Sequence, residues 1–197
     1  MPTERKSPGQ EIYQIKVTLI RTAPPIWRRL LVGADITLSG LHDLLQLAMG
    51  WTNSHMHEFQ FRGQCYGSTD PERGLAEGID ERKVRLNQLL GRVGAKIVYT
   101  YDFGDGWEHA VVLEKCLPVD PNMAYPACTG GRGACPPEDC GGVGGFYNLL
   151  QALQNPRHPE HKELLEWVGR HYDPENFSIE AINRTLHGKK RAARSSG

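Results

Sequence analysis

Residues 99–115, YTYDFGDGWEHAVVLEK, constrain the fold of this chain more than any other stretch. Before the turn, Ile97, Tyr99 and Tyr101 alternate with Val98 and Thr100; after it, Val111 and Leu113 alternate with Ala110, Val112 and Glu114. Period-two alternation on both sides of a Gly-Asp-Gly turn reads as a β-hairpin. Gly104 and Gly106 can take positive φ there without a Cβ clash. The same turn concentrates Asp102, Asp105, Trp107, Glu108 and His109. Three carboxylates and an imidazole exceed what a connector needs.

The rest of the chain supplies partners for that hairpin. Tyr13, Ile15, Val17 and Leu19 alternate with polar residues, as in a half-buried strand. Pro24 and Pro25 interrupt it, and residues 26–32 form a second extended run at an edge or corner. Thr37 or Ser39 caps a helix that runs to about Met49, with Leu41, Leu44, Leu45 and Ala48 as its apolar stripe and Gly50 as its stop. In the next strand His55, His57, Phe59 and Phe61 share one face. Residues 67–83 read as a surface loop and residues 84–90 as a short helix. Residues 118–145 are so rich in proline and glycine that they read as one long irregular loop, which in a compact domain needs something to hold it. Three amphipathic segments close the chain; the last is a short helix through Ile179, Ile182 and Leu186. Strands first, hairpin in the middle and helices last predict an α+β fold, an antiparallel sheet containing the central hairpin with helices packed mainly on one face. The expected organisation is a disordered lead-in (1–10), a single domain (11–187) and a basic disordered tail (188–197).

A chain of 197 residues suits one domain. Its formal charge is zero, but Lys189, Lys190, Arg191 and Arg194 place four positive charges at the end, so the remainder is net −4. A body of that sign does not support nucleic acid as a partner. No apolar run is long enough to cross a bilayer, and the opening MPTERKSPGQ lacks the apolar stretch of a secretory signal. The expectation is a cytoplasmic protein with no membrane partner. Five cysteines in such a compartment point to free thiols or a metal rather than a disulfide framework.

Three passages carry a resemblance to a known family: PPIWRRLLV continuing to LHDLLQLAMGWTNSHMHEF (residues 24–59), YDFGDGWEH (101–109) and CPPEDCGGVGGF (135–146). On them the chain resembles the plasmid pRiA4b ORF-3-like family. The resemblance implies a compact α+β domain carried on plasmids or near mobile elements, and it implies no activity. Some members bear a resolvase label. A serine resolvase needs a nucleophilic serine near its N-terminus, and the first strand here, YQIKVTLI, has none. There is no appended helix-turn-helix pattern either.

Four constellations bear on chemistry. Cys128, Cys135 and Cys140, with Cys116 as a fourth ligand and His109 as the alternative fourth, offer a structural zinc site; the competing reading is small buried thiols. Asp102, Asp105, Glu108 and His109 from the hairpin, His55 and His57 from the preceding strand, and Glu138 and Asp139 from the Gly/Pro-rich loop would bind a divalent ion if they converge. Otherwise the acids make the turn and the imidazoles satisfy backbone groups. Arg28 would contact an anion or pair with the hairpin acids. Trp51 and Trp107 would stack a ligand or pack in the core. The leading expectation is a non-catalytic binding module with a polar groove formed by His55, His57, Trp107, Glu108, Asp139 and Arg28 beside the hairpin. The alternative is a metal-assisted hydrolase or nuclease using Asp102, Asp105, His109 and Glu138.

Overall fold

The computed structural model describes residues 11–69, 78–169 and 172–194. The expected lead-in, residues 1–10, lies outside them. One eight-stranded sheet organises the chain. Its strands are β1 (Glu11–Leu19), β2 (Trp27–Gly33), β3 (His57–Phe61), β4 (Gln64–Gly67), β5 (Ile79–Asp80), β6 (Lys96–Tyr101), β7 (Trp107–Pro118) and β8 (Ala127–Arg132). They lie in the order β5-β4-β3-β6-β7-β1-β2-β8, antiparallel throughout except for β4 with β5. The helices are α1 (Leu38–Met49), α2 (Leu86–Leu89), α3 (Gly142–Gln154), α4 (His161–Val168) and α5 (Ile179–Arg194). This is an α+β fold.

The hairpin is central, as its pattern requires. Tyr101 pairs with Trp107 across a five-residue connection, and the register continues to Lys96 opposite Val112. Ile97, Tyr99, Tyr101, Trp107, His109, Val111 and Leu113 all point into the core. On the adjoining strand Tyr13, Ile15, Val17 and Leu19 share that face, and the same cluster takes in Leu41 and Leu45 of α1, Phe146 and Leu149 of α3 and Leu186 of α5. The helices therefore cover one face. Thr37 caps α1 by accepting from the Gly40 amide, and Gly50 ends it at φ 96°.

Two elements depart from expectation. The Gly/Pro-rich segment is not wholly irregular: β8 lies within it, paired to β2, and α3 begins before the segment ends. Glycine is what permits β8. A Cβ on Gly131 would run into the ring of Phe177, the side chain that covers this strand. Asn183 of α5 then clamps β8 by donating to the Cys128 carbonyl and accepting from the Cys128 amide. Burial and these bonds hold the segment. The last helix, for its part, continues to Arg194 instead of stopping near Leu186, so most of the basic run expected as a disordered tail is helical; residues 195–197 lie outside the described residues. Among the described residues no helix is long and apolar enough to cross a membrane.

Candidate metal centre

The turn of the central hairpin is built by Asp102. Its backbone sits at φ 58°, a left-handed conformation that asparagine and aspartate tolerate better than other side-chain-bearing residues. Its Oδ1 accepts from the amides of Gly104 (2.9 Å) and Asp105 (3.3 Å). Of the two glycines expected at positive φ, Gly106 adopts it and Gly104 does not. The sheet ladder runs one bond past β3, from the Asp102 amide to the Met56 carbonyl. That bond brings His55 alongside the turn.

The loop before α3 closes the site from the other side. The Gly141 amide donates to Asp105 Oδ2, and Trp51 Nε1 donates to the Pro136 carbonyl. Gly142 at φ 65° abuts the Asp105 backbone so closely that a Cβ would collide with it. Glu138 is thereby held with Oε1 accepting from the Thr52 amide (2.8 Å), the Thr52 hydroxyl (3.0 Å) and the Tyr101 hydroxyl (3.1 Å).

The result is one imidazole facing carboxylates from two other segments. His55 Nε2 lies 3.1 Å from Asp139 Oδ1, 3.7 Å from Asp102 Oδ2 and 3.8 Å from Glu138 Oε2. The nitrogen is buried, yet no oxygen is aligned for a hydrogen bond with it. His55, Asp102 and Asp139 form the one group of three or more potential metal ligands, among the described residues, whose ligand atoms all lie within 4.8 Å. Two ligands each about 2.1 Å from an ion and at tetrahedral or octahedral angles are about 3.0–3.4 Å apart. The shortest spacing has that value and the other two exceed it by a few tenths of an ångström. Asp102 spends Oδ1 on the turn and turns Oδ2 toward His55; Glu138 turns Oε2 toward His55 while that oxygen also accepts from the Tyr101 hydroxyl at 3.2 Å, the kind of outer-shell bond that orients a metal ligand. Asp139 is 70% exposed, leaving one side open.

The remaining predicted residues do not join this group. His57 does not share a strand face with His55, because β3 starts at His57 and His55 sits in the bend before it. His57 instead bonds Glu81 at 2.8 Å and stacks flat on His42, ring centroids 3.4 Å apart. His42 in turn reaches the Tyr99 hydroxyl and Asn53 Oδ1, both at 2.8 Å. Burial and the neighbouring His57 push the pKa of His42 down to about 4. Nothing in its spacing distinguished His42 from its apolar helix stripe. His109 is fully buried, its Nδ1 3.2 Å from the Tyr99 carbonyl, and burial lowers its pKa to about 4. Trp107 is core. Glu108 points away and meets Arg21 at 3.6 Å. Arg28 is spent on structure: its guanidinium donates to the carbonyls of Ala48, Trp27, Arg132 and Gly133 at 2.9–3.0 Å. Burial outweighs its surroundings and lowers its pKa.

The thiols are not gathered into a ligand set. Cys116 on β7 and Cys128 on β8 are separated by β1 and β2, about 14 Å at the usual strand spacing. Burial raises the Cys135 thiol well above its ordinary value and Cys140 to about 12, which favours the neutral forms.

Comparison with known proteins agrees with this architecture. The chain is 41% identical over 177 residues to an uncharacterized protein, y4hQ, of Sinorhizobium fredii (strain NBRC 101917 / NGR234), covering 89% of this chain and 90% of that protein. It is similar to the crystal structure of a protein of unknown function, MM3350, from Methanosarcina mazei Go1, with a TM-score of 0.79 and 34% identity, covering 87% of this chain and 97% of that one. Residues 11–181 match the family described as Plasmid pRiA4b ORF-3-like protein, and the chain belongs to that family.

Proposed function

We propose that this protein is a binding module that takes a divalent cation at His55, Asp102, Asp139 and Glu138 and uses the bound ion to engage an anionic partner. The observation that carries the reading is the unbonded His55 nitrogen facing three carboxylate oxygens at 3.1–3.8 Å. One imidazole among oxygens suits manganese, iron or zinc better than calcium. The negative body is consistent with this, since an anion would need the cation to approach. The reading replaces zinc at the cysteines with an ion at the turn. Calorimetric titration of metal-free protein with manganese is expected to give one site, lost in His55→Gln; binding unaltered by that substitution would refute it.

The open side left by Asp139 favours a second reading, metal-assisted hydrolysis, in which the ion activates water. His109 is too deeply buried to act as a base there, so the ion and Glu138 would carry the reaction. Phosphodiester and peptide panels with manganese or zinc test it: turnover abolished by His55→Gln supports it, and no turnover removes it.

A further inference from the structure

The end of the sheet opposite the hairpin turn carries a concavity of about 560 Å³. It lies between the β3–β4 turn, the end of α2 and the loop that leads into β6, with Phe61, Leu89 and Ala95 as its apolar lining. That volume is within the range of about 300–1,000 Å³ typical of small-molecule sites. The charged residues that line it are Arg62, Arg92 and Lys96, and no acidic residue is among the described residues of the lining. Its charge is opposite to that of the body, which is net −4 before the basic end of the chain.

These three cations are not neutralised by the fold. Among the described residues, the lysines and arginines that meet a carboxylate are Arg21, Arg29, Arg82, Lys83 and Arg85. Gln60 pairs with Val98, a register that carries Arg62 to the level of Lys96, and like charges across neighbouring strands are unfavourable. Arg62 bears a second cost. Phe61 pairs with Gln64 around a two-residue turn, Arg62-Gly63, in which both residues have positive φ, 50° and 80°. Asparagine or glycine suits the first position of such a turn; arginine is strained there. The Arg62 guanidinium carbon lies 5.0 Å from the centre of the Phe61 ring, which holds its charge against the lining of the concavity. Backbone strain of this kind gathers at ligand sites, and an anion is the ligand that relieves the crowding of positive charge.

Chemistry narrows the anion. A phosphoryl group offers three strong acceptor oxygens about one centre, and the arginine fork matches them. A lone carboxylate brings two oxygens and a single charge to three cations. A long nucleic acid needs basic contacts spread along a track, and the negative body around this concavity repels it. We infer that the concavity binds a free small molecule with a terminal phosphate or diphosphate group, held by Arg62, Arg92 and Lys96. The assignment goes beyond the divalent-cation reading and does not depend on it: His57, at the hairpin end of β3, is about 13 Å along the strand from Phe61.

Sodium pyrophosphate is the probe, titrated by calorimetry into full-length, metal-stripped protein in chelator-free buffer. One saturable site is expected, weakening as ionic strength rises. Arg92→Gln is expected to weaken binding about 5- to 10-fold. Arg62→Asn should weaken it by a similar factor without lowering the urea midpoint, because asparagine suits the turn better. His55→Gln should leave pyrophosphate binding unchanged. Failure of pyrophosphate to bind therefore contradicts this site alone, and the manganese titration still decides the other. Absence of saturable binding, binding unaltered by both Arg62→Asn and Arg92→Gln, loss of binding in His55→Gln, or equal binding of citrate would each overturn the assignment. A single-stranded oligonucleotide that binds more tightly than pyrophosphate, and loses that binding in Arg62→Asn, would overturn the small-molecule part of it.

Discussion

Asp102 divides its two oxygens between folding and the candidate site. Oδ1 closes the hairpin turn through two backbone amides while Oδ2 faces His55. Alanine here loses both hydrogen bonds and the tolerance for positive φ, so Asp102→Ala should cost about 1–3 kcal/mol in urea unfolding. Asparagine keeps the turn and the left-handed backbone but removes the charge, so Asp102→Asn should retain most of that stability while weakening divalent binding. His109 makes a separate statement through pH. Its pKa falls from 6.5 to about 4 in the fold because burial disfavours the imidazolium, and His42 is displaced in the same direction and to about the same value. Around His42 lie His57 from β3, Tyr99 from β6, Asn53 after α1 and Glu81 beyond β5. Both imidazoles are neutral when folded, and the unfolded chain takes up their protons first. Stability is therefore full above about pH 6.5 and is lost as pH falls toward 4. Urea midpoints measured across that window should decline in the native protein, and His109→Phe should flatten the decline by roughly half.

At the scale of elements, the edge strand β8 and the last helix depend on each other. Cys128 exchanges both of its backbone hydrogen bonds with the Asn183 side chain, at 2.7 and 3.0 Å. Arg28 ties the end of α1 to the end of the same strand through four carbonyls. Asn183→Ala leaves two partly buried backbone groups without that partner and is expected to cost about 1–3 kcal/mol. The loss should be local. Amide exchange should accelerate along residues 127–132 and leave β6 and β7 protected; uniform acceleration across the sheet would contradict this account of the edge. The hairpin, by contrast, is fixed from both sides, by β3 and by β1. Its turn is braced further by Gly141 and Gly142 at the start of α3. Local rigidity at that point is what keeps Asp102, Glu138 and His55 within reach of one another.

Over the whole molecule, legibility followed the range of the interactions involved. Tyr99, Tyr101, Val111 and Leu113 declared the hairpin because period two is a local signal, and Leu41, Leu44 and Leu45 declared α1 for the same reason. Asp102 and Asp139 were visible as candidates from their residue type. The partition of the histidines was not visible. Whether His55 and His57 act together depends on where β3 begins, and that is set by its pairing with Tyr101. Strand β8 was hidden because one of its glycines, Gly131, makes room for the ring of Phe177, a residue more than forty positions later. Arg28 carries the same lesson: a charge expected to meet an anion or pair with the hairpin acids is consumed by carbonyls from α1, β2 and the end of β8. The central claim is that His55 and the surrounding carboxylates hold one ion. Manganese bound to the metal-free protein, observed by pulsed electron paramagnetic resonance, tests it most directly. The account predicts a single bound manganese with nitrogen coupling from one imidazole, abolished in His55→Gln; a bound ion without nitrogen coupling, or coupling that survives that substitution, would contradict it.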